Sequence, residues 1–123
     1  APEGIVYDEK NNLFYVTDDE SGALFEVVFG VSVRSLATFS RPEDIVQLSD
    51  GTFLVTDNAW GAVFHVTREG VITKKVRMRR SYQDVQGVTV DDAGRLYVVT
   101  ADGYDSTSFM PSFVFRIDDY DQR

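Results

Sequence analysis

PEGIVYDEKNNLFYVTDDESGALFEV, residues 2–27, decides the fold. Short apolar runs at 5–7, 13–16 and 23–27 are split by Asn11-Asn12 and by Ser21-Gly22, residue pairs that favour tight turns between antiparallel strands. The same order returns as PEDIV at 42–46, FLVTD at 53–57 and AVFHV at 62–66. It returns again as QGVTVD at 86–91, LYVVT at 96–100 and FVFRI at 113–117. A unit of about 40 residues made of short strands is the mark of stacked blades, that is, an all-β propeller. One blade cannot bury its own two faces, so function is expected where blades meet.

Working outward, four strands are expected in each of the first two units: 4–8, 13–17, 23–29 and 33–39, then 44–48, 52–56, 62–67 and 71–78. The third unit offers 86–90, 95–100 and 113–118. Consecutive apolar residues such as Phe14-Tyr15-Val16 and Phe53-Leu54-Val55 predict strands covered on both faces rather than one. The chain thus reads as a single propeller segment over 1–123, with blades at about 2–40, 41–81 and 82–123.

Offsets locate the irregularities. Glu3 and Glu43 lie 40 positions apart and Phe25 and Phe64 lie 39, whereas Phe64 and Phe115 lie 51 apart against 43 for Gly51 and Gly94. Eight extra residues therefore fall within 101–112 (ADGYDSTSFMPS). After Ile117 only DDYDQR follows, too short and acidic for an outer strand, so the third blade is expected to be incomplete. Three blades cannot close a ring, and an open end exposes apolar faces and strand edges. The expected partner is a second copy of the chain or the remainder of a longer propeller, the segment being about half of a six-bladed ring.

Composition narrows the chemistry. A net charge of −8 speaks against binding nucleic acid or anionic membrane, since phosphate attraction supplies that affinity. The 123 residues hold no apolar run long enough for a membrane helix. The absence of cysteine removes disulfides, thiolate catalysis and zinc–cysteine sites, and leaves the compartment open. No GxSxG elbow accompanies the serines.

The Pro-Glu-Gly start (2–4), the Asp that follows the first strand (Asp8, Asp91) and the strands ending in Thr-Asp (17–18, 56–57) resemble the NHL-repeat and SMP-30/gluconolactonase-like propellers, which include strictosidine-synthase-like members. The likeness spans the chain except 101–112. It implies a propeller fold, which hosts lactonases, esterases, lyases and binding modules. In the SMP-30-like enzymes a divalent metal sits in the central channel, held by residues just before the Gly of several inner strands. The matching positions are Glu3, Glu43 and Gln86, the last two standing where the family shows Asn and Asp. Such oxygen donors suit Ca2+ or another divalent cation. Occupying equivalent places in successive blades, the three are expected to face one axis.

Other residues stand out by position. Asp18, Asp19 and Glu20, then Asp57 and Asn58, then Asp102 and Asp105, place acids after every second strand, as turn caps or as a rim of contacts. Asp18 is the candidate general base. His65 is the sole histidine, expected to be structural. The basic run Lys74, Lys75, Arg77, Arg79 and Arg80 reads as a solvated outer strand. Trp60, Tyr104, Phe109 and Met110 form the candidate partner or ligand loops. The sequence favours a binding or assembly module that engages a partner protein or small ligand through loops and channel. The alternative is a metal-dependent lactone or ester hydrolase of the SMP-30 type, in which a channel cation polarises a carbonyl or activates water.

Overall fold

The structure, a computed structural model, describes residues 1–78, 83–102 and 112–118. It is all-β. The first sheet runs β1 (Pro2–Asp8), β2 (Leu13–Asp18), β3 (Ala23–Val28) and β4 (Ser32–Thr38) in sequential antiparallel order. The second repeats this with β5 (Pro42–Gln47), β6 (Phe53–Asp57), β7 (Ala62–Val66) and β8 (Ile72–Arg77). In the third, β9 (Gln83–Val90), β10 (Leu96–Asp102) and β11 (Ser112–Ile117) pair in the same sense. The final residues, 119–123, lie outside the described ones.

Turn chemistry sets the register. The turn after the first strand carries a left-handed residue in every sheet: Asn12 (φ 53°), Gly51 (φ 88°) and Gly94 (φ 80°). Only glycine enters that region without steric cost, and asparagine is the usual substitute. The offset of 51 between Phe64 and Phe115 is real, because Phe64 pairs with Val55 as Phe115 pairs with Val98. The third sheet therefore takes its insertion between β10 and β11.

β1, β5 and β9 begin earlier than the sequence reading places them, at Pro2, Pro42 and Gln83, because each continues through a bulge. The pairing passes from Pro2↔Asp18 to Ile5↔Val16, and from Pro42↔Asp57 to Ile45↔Val55, with one residue extra on the first strand. Gln86 is the extra residue between Val85↔Thr100 and Gly87↔Val99. A bulge turns the strand locally and re-aims its side chains.

Register also sorts the faces. Two rows recur: Ile5–Val16–Phe25 with Tyr7–Phe14–Val27, Ile45–Val55–Phe64 with Gln47–Phe53–Val66, and Val88–Val98–Phe115 with Val90–Leu96–Ile117. In the second and third sheets these rows press on the preceding sheet. One core joins the first two sheets through Tyr15, Leu24, Ile45, Phe53, Val55 and Phe64. The other joins the last two through Leu54, Val63, Met78, Val88, Leu96 and Val98. Every residue of β6 is buried, as expected for a strand covered on both sides. In the first sheet the equivalent rows are more exposed, with Ile5 at 64% and Tyr7 at 50%.

Candidate functional site at the channel mouth

β1, β5 and β9 lie side by side, and the bulges at their starts carry Glu3, Glu43 and Gln86. The bulges are fixed by threonines from the neighbouring strands. The buried Thr17 hydroxyl accepts the Gly4 N–H (2.9 Å) and donates to the Glu43 carbonyl (3.0 Å) in the next sheet. The buried Thr56 hydroxyl accepts the Asp44 N–H (3.0 Å) and donates to the Gln86 carbonyl (2.7 Å). Each threonine thus satisfies a bulge amide in its own sheet and a carbonyl in the following one, leaving neither unpaired. This latch is a functional part of the fold that the sequence reading missed. Its only signal was the repeated Thr-Asp pair.

Asp44 adds a second tie. Its Oδ1 accepts the Ile45 N–H at 2.8 Å and its Oδ2 accepts the Val88 N–H of the third sheet at 3.0 Å. The sheet before leaves room for it through Gly4, where a Cβ would stand 2.9 Å from the Asp44 Cα. The departure from Glu-Gly to Glu-Asp at 43–44 is therefore an inter-sheet bond.

The side chains at the mouth form an acidic group. Glu43 Oε1 accepts a hydrogen bond from Asn58 Nδ2 at 2.6 Å. Burial, followed by the charges of Glu3, Asp19 and Asp84, pushes the Glu43 carboxyl up from its ordinary value. One oxygen of Asp84, Oδ1, is buried with no hydrogen-bond partner. Among the described residues, no three His, Cys, Asp or Glu side chains come close enough to share one metal ion. The carboxylate and amide donors of these sheets are oxygens of the type that suits calcium.

The other candidate residues separate. Asp18 pairs with the Ala1 amino group at 2.6 Å and accepts the Ser21 hydroxyl at 2.6 Å. The amino group, then the Ser21 hydroxyl, lower its pKa to about 2. The fully buried Asp57 caps the chain arriving from the first sheet, accepting the Ser40 N–H at 2.8 Å and the Arg41 N–H at 3.2 Å, and it also accepts the Ala59 N–H at 3.0 Å. His65 is held between the hydroxyls of Thr52 (2.8 Å from Nε2) and Thr73 (2.5 Å from Nδ1). Trp60 is half exposed, with Lys75 Nζ 4.2 Å from its ring centroid and Arg77 alongside. Part of the basic run therefore covers an aromatic ring rather than only facing solvent. Tyr104, Phe109 and Met110, with Arg79, Arg80 and Asp105, lie outside the described residues.

No protein-family model matches the chain, and no curated protein does. Solved structures do. Virginiamycin B lyase from Staphylococcus aureus superposes with a TM-score of 0.68 at 15% identity, over 91% of this chain and 40% of that one. A luciferin-regenerating enzyme gives 0.78 at 18% identity, over 94% and 44%. A protein of unknown function from Bacteroides caccae gives 0.76 at 18% identity, over 93% and 44%. The chain spans less than half the length of these structures, which include enzymes and a protein without a known role. At such identities the likeness carries the fold. With three antiparallel sheets stacked through their faces and first strands side by side, the chain is a partial β-propeller.

Proposed function

We propose that the chain is an assembly and binding module: a propeller segment that takes a further blade on its first sheet and offers the acidic channel mouth, with the Trp60 rim, to a ligand or partner. One observation carries this reading. The rows that seat the second sheet on the first, Ile45–Val55–Phe64 and Gln47–Phe53–Val66, are repeated nearly residue for residue on the bare face of the first sheet as Ile5–Val16–Phe25 and Tyr7–Phe14–Val27. A face patterned for solvent would alternate to polar residues, because uncovered apolar area of this kind marks an interaction surface. Light scattering and binding of a hydrophobic dye test it. The expected result is either association above 13.9 kDa or a monomer whose dye signal falls on Ile5→Lys. A monomer that binds no dye sinks it.

A second reading, a metal-dependent hydrolase, draws support from the acidic group at the mouth, where burial and then the charges of Glu3, Asp19 and Asp84 raise the Glu43 pKa. Its cation would be held by the carboxylates together with amide and carbonyl oxygens. Calorimetric titration with Ca2+ tests it: stoichiometric uptake lost in Glu43→Gln supports the reading, and no uptake by the assembled ring removes it.

A further inference from the structure

We propose that the blade received by the first sheet is the third sheet of a second copy, so that two copies joined head to tail close one ring. This rests on the assembly reading above and names its partner. The outer face of the third sheet carries the rows that, in the first two sheets, face the following sheet. Thr89–Tyr97–Arg116 and Val99–Val114 stand where the first sheet has Val6–Tyr15–Glu26 and Thr17–Leu24. Tyr15 packs its ring 4.3 Å from that of Phe53. Tyr97 holds the place of Tyr15 and Phe14 the place of Phe53, so the same aromatic pair forms when the third sheet meets the first. Val114 is 70% exposed at the position where Leu24 and Val63 are fully buried.

The charges fit as well. Asp8, buried in the first seam, is satisfied partly across it, by Gln47 Nε2 at 3.1 Å and the Arg68 guanidinium at 3.6 Å. Asp91 occupies the same place in the third sheet but is satisfied from within, by Arg95 Nε at 2.8 Å, the Tyr97 hydroxyl at 2.9 Å and the amides of Ala93 and Arg95. On the first sheet the places of Gln47 and Arg68 are taken by Tyr7 and Phe29, the latter 85% exposed. A face without a cation thus meets a carboxylate that needs none, which avoids burying an unpaired charge. One element of the internal seams is absent: Val99 replaces the latch threonine, so apolar contact holds this joint.

Because the joint is heterologous, it either closes or runs on as a filament. The chain covers 44% of the luciferin-regenerating enzyme, so two copies supply about one ring of that length. Sedimentation and light scattering of the chain, with variants at exposed positions, test the proposal. The wild type is expected at twice 13.9 kDa. Ile5→Lys and Val114→Lys are each expected to give folded monomers, with circular dichroism confirming the fold. An equimolar mixture of the two regains a dimer, since one of its two joints is then unaltered. Val99→Thr, which restores the hydroxyl at both joints, tightens the dimer roughly tenfold to a hundredfold. A wild-type monomer overturns the proposal, as does a dimer indifferent to Val114→Lys or a mixture that fails to associate. The assembly reading survives those results wherever Ile5→Lys still abolishes association or dye binding.

Discussion

Two seams hold the three blades together, and they are filled differently. Between the first and second sheets the packing is aromatic, with Tyr15 on Phe53 and Phe39 on Phe64, and a buried carboxylate is bridged across by Gln47 and Arg68. Between the second and third the packing is aliphatic, with Leu54, Val63, Val88 and Leu96, and the bridge is the Asp44 carboxylate on the Val88 amide. The threonine latch is common to both. The placement of neighbouring blades is therefore fixed by threonine-to-backbone bonds that both internal seams repeat, while side chains and charge give each seam its own identity. That difference lets one blade recognise its proper neighbour among similar ones.

The largest expected effect comes from emptying one seam at a time. Phe53 and Leu54 are adjacent on β6, both fully buried, and point into opposite cores. Phe53→Ala is expected to cost about 3–5 kcal/mol and Leu54→Ala about 2–5 kcal/mol, from lost burial plus the cavity left behind. Hydrogen exchange separates the two: Phe53→Ala frees the amides of the first sheet, and Leu54→Ala those of the third. Equal loosening of both outer sheets by either variant would show the seams to be one cooperative unit.

The latch comes next. Thr17→Val and Thr56→Val keep the side-chain shape but leave a buried N–H and a buried carbonyl unpaired, so each should cost about 1–3 kcal/mol. The third sheet carries valine at this position, on a face that is 44% exposed in the single chain. Denaturant midpoints with unchanged slopes check the loss. Negligible loss in both variants would mean that the bulges are held by packing alone.

Much of the scaffold was legible because its signals are local. Apolar runs bounded by Asn11-Asn12, Ser21-Gly22 or Asp50-Gly51 become strands and turns whatever surrounds them, and the eight-residue insertion shows in the spacing of phenylalanines. What pairs distant residues was not legible. LYVVT at 96–100 looks like FLVTD at 53–57, yet register places Val99 at the threonine position and Thr100 where Asp57 sits. The latch needs Thr17 beside Glu43, a proximity set by how blades stack, and no local pattern states it. Likewise Glu3, Glu43 and Gln86 were picked out by their match to SMP-30-like positions and by their equivalent places in the repeat, while the Asn58 contact of Glu43 and the approach of Asp84 come from the chain folding back on itself.

The smallest expected effect distinguishes the channel mouth from the seams by its dependence on pH. The Glu43 carboxyl is raised above its ordinary value of 4.5 by burial and by the charges of Glu3, Asp19 and Asp84. A folded state that holds this proton more tightly than the unfolded chain gains stability below the unfolded pKa, and loses it as pH rises through the folded one. Glu43→Gln keeps an oxygen for Asn58 and removes the charge. The variant should therefore melt above the wild type at pH 7, by less than either seam loss, and the gap should close below about pH 4. The threonine variants should show no such closing. A wild type more stable than Glu43→Gln at pH 7 would mean that the ionised carboxylate is favoured at the mouth, reversing the sign that burial and crowding predict.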